Sequence, residues 1–469
     1  MKRRKLEEAL QEISDIHIAE ATHLKQKRLP WLGAVAAILV LVLIFQFVEI
    51  PMAIASEVVS AVSDPRIANR PDSDDFSDRD SWRQELDKWD AQRQQRAAAT
   101  EAALVQMQDF LKESCNEFLS RSSHNQLYSP INAYIGLAMT AELTSGQTRQ
   151  QILNALGAAD LPTLRQQVSA LWETAYQDNG NEICTLANAL WLDESLDYNQ
   201  ESMDILAHDY YASVYRQDLA GRRVLKDIQA WLNNNTGGLL RDSVESIQLP
   251  DMAVLMLYST IYFQSKWRDE FSAAQNTNDT FHAPNGDISC TFMNQKLRQM
   301  NYYWGKDYGA VSLGLKNGSS MWFILPDADK SIDDVLLSSE YLEMIAAPYE
   351  GWTNTKYMKV NLSVPKFDIQ SKQDLRSGFE NMGITDLFQY GKADFSEAFE
   401  GPVFMTAANQ AVRVEIDEQG VKAAAYIEFP GAGAAAPPEE IIDFVLDRPF
   451  LFVISDSGIP LFAGTVNQP

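Results

Sequence analysis

The pattern of apolar and polar residues divides the 469-residue chain into four parts. Residues 1–28 carry positive charge at both ends, with a short amphipathic segment between them. Residues 31–48 form an apolar run with one polar interruption, Gln46, and this run reaches the lower length limit for a membrane-spanning helix. A polar, acidic stretch extends to residue 99, and the rest of the chain has the spacing of a globular domain.

The globular part, residues 100–469, is predicted to combine helices with long strands. Apolar residues recur at helical spacing in 101–120, 131–141, 148–156 and 161–175. Apolar runs typical of strands occur at 182–192, 252–264, 310–315, 320–325, 357–369 and 411–416. Because the two kinds of element alternate irregularly, they predict an α+β fold rather than a series of βαβ units.

The apolar run near the N-terminus predicts a membrane anchor. Positive charge precedes it, so the positive-inside rule predicts a cytoplasmic segment (1–28), a transmembrane helix (29–50) and an exported remainder. The alternative is a signal peptide, because residues 53–55 have an A-x-A shape and cleavage near Ala55 would release a secreted protein. Residues 51–99 are predicted to form an acidic stalk that ends in a short helix, with Trp82, Leu86 and Trp89 docked on the next domain.

Composition excludes several kinds of function. The net charge of −25 leaves no basic footprint for nucleic acid. The three cysteines are too few and too widely spaced for a disulfide framework, and the five histidines have no metal-ligand spacing. Ser129 and Ser259 lie outside any G-x-S-x-G nucleophile motif. We therefore predict a protein that is not an enzyme and that has no metal or cofactor.

A long loop near the C-terminus is the most informative stretch of the chain. Asp417 and Glu418 end a strand, Gly420 follows, and alanines with a run of glycine and proline lead to apolar strand residues at Ile441. Loops longer than about 12 to 15 residues are uncommon in compact domains and are usually functional. Glycine provides a pivot, and alanine enters a packed sheet without needing a cavity. The loop therefore has the composition of a strand held in reserve.

The loop resembles the hinge and reactive loop of the serpins, and further serpin landmarks follow in the expected order along residues 100–469. The similar segments are NQLYSPIN (125–132), ANALW (187–191), IQAWLNNNTGGL (228–239), IYFQSKWRDEF (261–271), MWFILP (321–326), VPKF (364–367), FENMGITDLF (379–388), ADFS (393–396) and DRPFLFVI (447–454). The resemblance implies a serpin fold, in which many helices surround a large central mixed β-sheet and smaller sheets. It also implies an exposed reactive loop at about 418–440 and inhibition of serine proteases. We expect a monomer.

The resemblance also implies which residues form the hinge of the loop. These residues are Glu418, Gly420, Val421, Ala423, Ala424 and Ala425. In an extended strand, alternate side chains share a face. The face that would meet the core is uncharged and consists of Val421, Ala423, Ala425, Ile427 and Phe429.

The usual serpin spacing, counted from Glu418, places the scissile bond between Ala434 and Ala435. The loop is about four residues longer than is common on its far side, so the bond lies in the range from Ala432 to Ala436. Every residue in this range is alanine or glycine, and such small side chains fit a shallow specificity pocket, which predicts elastase-like or subtilisin-like target proteases.

Two departures from the family pattern concern insertion. Tyr426 and Ile427 stand where inhibitory serpins carry smaller residues, and their bulk would slow insertion. The network beneath the opening sheet, called the shutter, resembles two Ser, one Asn and one His in serpins. Here the corresponding residues are Ser129, Asn132, Ser259 and Gln410, so Ser and Asn have changed places and glutamine replaces histidine. The alternative is that these four are ordinary buried polar residues with local partners.

The sequence as a whole predicts an extracellular, membrane-anchored suicide inhibitor of serine proteases, of a bacterial surface type. Two alternatives stay open. One is a non-inhibitory serpin, and the other is a surface adhesion or receptor module in which the loop is a cleavable linker.

Overall fold

The computed structural model describes residues 57–60, 71, 76, 78–178, 182–249, 253–347, 351–421 and 439–469. The predicted membrane segment, the predicted scissile bond and the hinge alanines Ala423, Ala424 and Ala425 lie outside the described residues. Within the described ranges, no helix is both long enough and apolar enough to span a bilayer.

The described residues contain eleven α-helices. They are α1 (Arg79–Gln106), α2 (Gln108–Leu119), α3 (Pro130–Leu143), α4 (Gly146–Leu156), α5 (Leu161–Ala175), α6 (Gln200–Asp209), α7 (Arg222–Asn235), α8 (Arg241–Glu245), α9 (Ile332–Ser338), α10 (Glu340–Ala346) and α11 (Arg376–Asn381).

Seventeen strands in the same ranges form two sheets. They are β1 (Glu57–Ser60), β2 (Gln126–Tyr128), β3 (Gln177–Asp178), β4 (Ile183–Asp193), β5 (Ala212–Gln217), β6 (Leu255–Lys266), β7 (Thr277–Ala283), β8 (Gly286–Trp304), β9 (Tyr308–Gly314), β10 (Ser320–Pro326), β11 (Thr355–Pro365), β12 (Phe367–Asp374), β13 (Asn409–Ile416), β14 (Gly420–Val421), β15 (Ile441–Val445), β16 (Phe450–Asp456) and β17 (Ile459–Val466).

The large sheet has the strand order β1-β5-β4-β6-β14-β13-β12, with β3 paired to β4. The second sheet has the order β15-β11-β8-β9-β10-β16-β17-β2, with β7 paired to β8. Both sheets mix parallel and antiparallel neighbours, since β4 runs parallel to β5 and β11 runs parallel to β15. This arrangement is of the α+β kind that the irregular order of elements predicts.

Helix α3 and strand β17 form the centre of the main hydrophobic core. Every residue of β17 is buried, and so is every residue of α3 except Gly136. Proline is well placed as the first residue of α3, because the first turn of a helix needs no N–H donor there. The ring of Phe462 in β17 lies 6.2 Å from that of Phe263 in β6, so the second sheet packs against the large one.

Several boundaries differ from those predicted. The predicted helix 101–120 is divided at the fully buried Met107 into α1 and α2. The predicted strand 357–369 is divided at Lys366 into β11 and β12, just after Pro365, which has no N–H to donate to a ladder. Helix α5 begins and ends where the pattern predicts.

The segment predicted as a stalk contributes to the fold. Strand β1 pairs with β5 at the edge of the large sheet, and most of α1 also belongs to residues 51–99. Trp82, Leu86 and Trp89 are half-buried, and the Trp82 indole donates to the carbonyl of Pro71 at 3.3 Å. Thr100 fixes α1 to α5 through a hydroxyl pair with Thr174 at 2.7 Å.

A second hydrophobic cluster holds α7 on the large sheet. Trp191 of β4 is fully buried at its centre, with ring centroids 4.7 Å from Tyr215 and 5.6 Å from both Trp231 and Tyr258. Aromatic pairs in this geometry add to the gain from burial alone.

We predict that Trp191→Ala lowers the free energy of unfolding by about 3–5 kcal/mol, because it removes the fully buried tryptophan at the centre of this cluster and leaves a cavity. Urea unfolding followed by circular dichroism measures the change. The control is Leu337→Ala, whose side chain is 75% exposed and whose loss is expected to cost no more than about 0.5 kcal/mol. Equal effects of the two substitutions would contradict the prediction.

Candidate functional site

The hinge is a tight turn between β13 and β14. The Asp417 carboxylate accepts hydrogen bonds from the backbone N–H groups of Gln419 at 2.8 Å and Gly420 at 3.2 Å. A Cβ atom on Gly420 would lie 2.5 Å from both the Ser265 carbonyl oxygen and the Lys266 Cα, and φ is +154°. Glycine is required here because the chain passes so close to the backbone of β6.

Backbone contacts fix the outer side of this turn. The Trp267 N–H donates to the carbonyl of Gln419 at 3.0 Å, and its indole donates to the carbonyl of Asp417 at 2.8 Å. The Phe271 N–H donates to the carbonyl of Glu418 at 2.9 Å. Trp267 is fully buried just after the end of β6, so the turn is hydrogen-bonded to a residue whose side chain is held in the core.

The side chain of Glu418 is held by two partners from outside the hinge. Its carboxylate lies 2.5 Å from the Lys366 ammonium and accepts a hydrogen bond from the Asn276 amide at 2.5 Å. The hydrogen bond from Lys366 is the largest cause that lowers the pKa of Glu418 below its ordinary value. Lys366 lies between β11 and β12, so this ion pair joins the hinge to the junction of the two sheets.

Strand β14 lies in the middle of the large sheet, between β6 and β13. Val421 lies opposite Ser265 of β6 on one side and Ile416 of β13 on the other, antiparallel to both. Val421 and Ile416 are both buried in the main core. Directly opposite residues share a face of a sheet, so the side chain of Val421 points inward, as the predicted alternation requires.

Beyond Val421, the described strands of the large sheet leave a gap between β6 and β13. In the described part of the chain, no ladder joins β6 to β13 below β14. A cavity of about 640 Å³ lies between these strands. Its lining includes Leu257, Ile261 and Phe263 of β6, Val412 and Val414 of β13, and Phe462 of β17.

The four predicted shutter residues lie at this gap, where they form two separate pairs. Ser129 and Gln410 exchange two hydrogen bonds, from the Ser129 N–H to Oε1 at 2.8 Å and from the Gln410 Nε2 to the Ser129 carbonyl at 3.0 Å. Asn132 donates to the Ser259 carbonyl at 3.0 Å and accepts from the Ser259 hydroxyl. The Ser129 hydroxyl donates instead to the carbonyl of Leu461 at 2.7 Å.

Sequence reasoning missed several residues that hold the hinge. Trp267 and Lys366 both lie inside segments that resemble serpin motifs, but nothing in their spacing indicates that they contact residues 150 and 52 positions away. Asn276 has no sequence signal at all. Among the described residues, no group of three or more His, Cys, Asp or Glu side chains is arranged to hold a metal ion.

The family model described as "Serpin (serine protease inhibitor)" matches residues 106–469. The chain belongs to the serpin family. This membership confirms the predicted serpin fold and places the protein among protease inhibitors rather than enzymes.

Known serpins resemble this one over most of its length. Plasminogen activator inhibitor 1 of Sus scrofa is 29% identical over 367 residues, which is 74% of this chain and 87% of the relative. Serpin-ZX of Arabidopsis thaliana is 26% identical over 372 residues, covering 74% of this chain and 92% of the relative. The native-state structure of Tengpin, a thermophilic serpin, matches with a TM-score of 0.68 at 24% identity and covers 79% of this chain and 94% of that one.

We predict that Glu418→Gln destabilises this serpin by about 1–2 kcal/mol at neutral pH and that the difference disappears in acid. Because the pKa of Glu418 is lowered in the folded state, its contribution is present above the ordinary value of 4.5 and is lost as pH falls from there through the lowered value. Urea midpoints of both proteins at pH 7 and pH 3 test this.

The control for this comparison is Glu113→Gln, which removes an exposed carboxylate from α2. It is expected to change the midpoint little at either pH. A deficit of Glu418→Gln that persists unchanged at pH 3 would contradict the assigned role of the carboxylate.

Proposed function

We propose that this serpin is a one-use inhibitor of serine proteases that cleave after small residues, acting by insertion of the cut loop between β6 and β13. The observation that carries the proposal is the position of β14. Its two residues lie between β6 and β13, and the cavity between those strands continues in the same direction. An extended segment that continued β14 would find a strand edge on each side.

The register at Val421 indicates which neighbours each loop residue would meet if the pairing continued. Each step of two residues along the loop corresponds to two residues backward along β6 and β13. The resulting partners are Phe263 and Val414 for Ala423, Ile261 and Val412 for Ala425, and Ser259 and Gln410 for Ile427.

Small side chains suit the first of these places. The partners of Ala423 and Ala425 are large apolar residues that line the cavity, so a methyl group adds contact without overpacking. Ile427 differs, because it would arrive between two polar residues over the first turn of α3. This mismatch favours the second candidate function, a non-inhibitory serpin in which insertion is slow.

The far end of the loop is fixed to the second sheet. Glu440 accepts two hydrogen bonds from the Lys356 ammonium, at 2.8 and 2.7 Å, and its carbonyl accepts from the Lys359 N–H at 2.9 Å. Ile441, the first residue of β15, then pairs with Lys359 of β11. Since the two ends belong to different sheets, cleavage between them would release the hinge side from the β15 side.

The choice of target rests on the sequence at the proposed scissile bond, Ala434–Ala435. Alanine fits a shallow specificity pocket, so we propose elastase-like or subtilisin-like proteases as targets. The family description and the name of the Sus scrofa relative both refer to inhibition, which supports the general reaction.

We also propose that residues 29–50 anchor the protein in a membrane, with residues 1–28 cytoplasmic and the serpin domain outside a bacterial-type cell. Support comes from the apolar run and its charged flanks. The alternative, secretion after cleavage near Ala55, would leave β1 intact because that strand begins at Glu57.

We predict that incubation of the protein with an elastase yields a covalent complex of the summed mass on a denaturing gel. The cleaved, inserted form is expected to melt well above the intact form, because insertion adds strand hydrogen bonds on both sides of the new strand. Differential scanning calorimetry of intact and nicked protein measures this change. A nicked protein that melts with the intact one, without a covalent band, would exclude both inhibition and insertion.

We predict that Ala423→Arg converts the inhibitor into a substrate, because a charge on the inward face would have to enter the core beside Phe263 and Val414. The stoichiometry of inhibition, measured by titration against active protease, is expected to rise at least about tenfold. The matched control is Ala424→Arg, one residue along on the opposite face, which is expected to affect the stoichiometry much less. Equal effects would contradict the assigned inward face.

A further inference from the structure

We infer that Glu182 is a positioning residue for the hinge. Its carboxylate takes the place of a neighbouring strand beside the last two residues of β6, and it holds them in the conformation with which β14 pairs. This inference rests on the proposed function and names a further residue that acts in loop insertion.

The end of β6 has a neighbouring strand on one side only. The ladder between β4 and β6 ends at Gln264, whereas β6 continues to Lys266. On the other side of β6, Ser265 pairs with Val421 and Lys266 pairs with Gly420. The two residues that pair with the hinge are therefore the two that β4 does not reach.

The side chain of Glu182 lies on the side of β6 that β4 leaves uncovered. Glu182 immediately precedes β4, and its Oε2 accepts hydrogen bonds from the Ser265 hydroxyl and from the Lys266 N–H, the latter at 3.3 Å. Glu182 is 8% exposed and Ser265 is fully buried, so these bonds are shielded from water. A buried donor that loses its acceptor is costly, so the carboxylate fixes both residues.

The directions of the backbone groups show how this contact serves the hinge. Along a paired strand, successive residues direct their N–H and C=O groups to opposite sides. The Lys266 N–H donates to Glu182, and the Lys266 carbonyl accepts from the Lys316 N–H at 2.9 Å. The Trp267 N–H points the other way and donates to the hinge carbonyl of Gln419 at 3.0 Å. Holding Lys266 on one side therefore directs Trp267 toward the hinge.

The turn between β9 and β10 completes the support of Ser265. The Asn317 N–H donates to the Ser265 hydroxyl oxygen at 3.3 Å, while that hydroxyl donates to Glu182. The hydroxyl thus acts as donor and acceptor at once, which fixes the orientation of the side chain.

The hinge approaches these two residues of β6 without spare room. A Cβ atom on Gly420 would lie 2.5 Å from the Ser265 carbonyl oxygen and 2.5 Å from the Lys266 Cα. Because this contact is close-packed, a displacement of Ser265 and Lys266 would change the pairing of β14. Glu182 therefore sets the register from which an inserting strand would continue.

Hydrogen–deuterium exchange of the uncleaved full chain tests the positioning role without a protease. The reporters are the Trp267 and Phe271 amides, which donate to the hinge carbonyls of Gln419 and Glu418, and the reference is the buried strand β17. Glu182→Met keeps the side-chain length but removes both acceptor oxygens. Exchange at the reporters is expected to rise at least about tenfold, and exchange in β17 less than about twofold. Glu182→Gln keeps one acceptor oxygen and is expected to stay within about threefold of the wild-type protein.

The matched control is Glu142→Met. Glu142 is also a buried carboxylate, but it accepts from Arg165 and from the Tyr210 hydroxyl instead of from β6. Its loss is expected to leave the ratio of reporter exchange to β17 exchange unchanged. In Glu182→Met, equal rises at the reporters and in β17 would show a general loss of stability and overturn the inference. Unchanged exchange at the reporters would also overturn it.

A second variant decides the question if Glu182→Met does not fold. Ser265→Ala removes only the hydroxyl that joins Glu182 to the turn after β9. Exchange at the Trp267 and Phe271 amides is expected to rise at least about threefold relative to β17. A ratio equal to that of the wild-type protein would overturn the inference.

The effect on insertion is measured separately by titration against an elastase. The stoichiometry of inhibition is expected to rise at least about threefold in Glu182→Met and to stay near the wild-type value in Glu182→Gln. Equal stoichiometries in the wild-type protein and Glu182→Met would overturn the inference. A wild-type protein that traps no protease would contradict the proposed function, while the exchange ratios would still decide whether Glu182 positions the hinge.

Discussion

Two facing strand edges without a ladder between them are the constraint on which the rest of this structure depends. In the described chain, β6 and β13 are joined only through the two residues of β14, and below them a cavity of about 640 Å³ separates the strands. Backbone groups along such edges strongly favour pairing. If about 15 loop residues paired there at a net ~0.5–1.5 kcal/mol each, the gain would be on the order of 10–20 kcal/mol. That is comparable to the whole stability of an ordinary domain, about 5–15 kcal/mol.

Such an open edge persists only if the surrounding structure holds it. The first turn of α3 is hydrogen-bonded to Ser259 of β6 and to Gln410 of β13, and the Leu239 carbonyl after α7 accepts from Arg413 of β13. The aromatic cluster around Trp191 packs α7 against β4 and β6. Arg413 of β13 and Gln370 of β12 donate hydrogen bonds to the segment that follows α7.

The sequence predicts much of this arrangement, and its failures have identifiable physical causes. Helix α5 has a clear apolar face and sharp ends, with Asp160 as its N-cap, so its bounds follow from the pattern. Most of α1 is rich in arginine, glutamine and alanine, with no apolar face, so only its tryptophans indicate a helix. Asp78 caps its start by accepting hydrogen bonds from the N–H groups of Asp80 and Ser81, and an aspartate at this place is a sequence signal for the start of a helix. Strand β1 has four residues and a partner more than 150 positions away, so no local pattern reveals it.

For the candidate site too, the sequence predicts which residues take part but not how they are bonded. The four shutter residues were predicted from family spacing, but their division into two pairs depends on side-chain lengths across a gap whose width the sequence does not contain. The hinge was predicted around Gly420, whereas its attachment to Trp267, Phe271 and Lys366 depends on tertiary contacts.

The firm attachment of the hinge has a kinetic meaning. Closing a loop costs conformational entropy before any pairing is gained, and the cost is greatest when neither end is near its final position. Here one end is already placed, because Val421 occupies its inward position and Glu418 is bound by Lys366 and Asn276. Each further residue would then add to an existing strand end, as in the extension of a nucleated helix. Under the proposed mechanism, the bonded hinge would lower the entropic barrier to insertion, and the attachment of Glu440 to the second sheet would hold the far end of the loop back until the loop is cut.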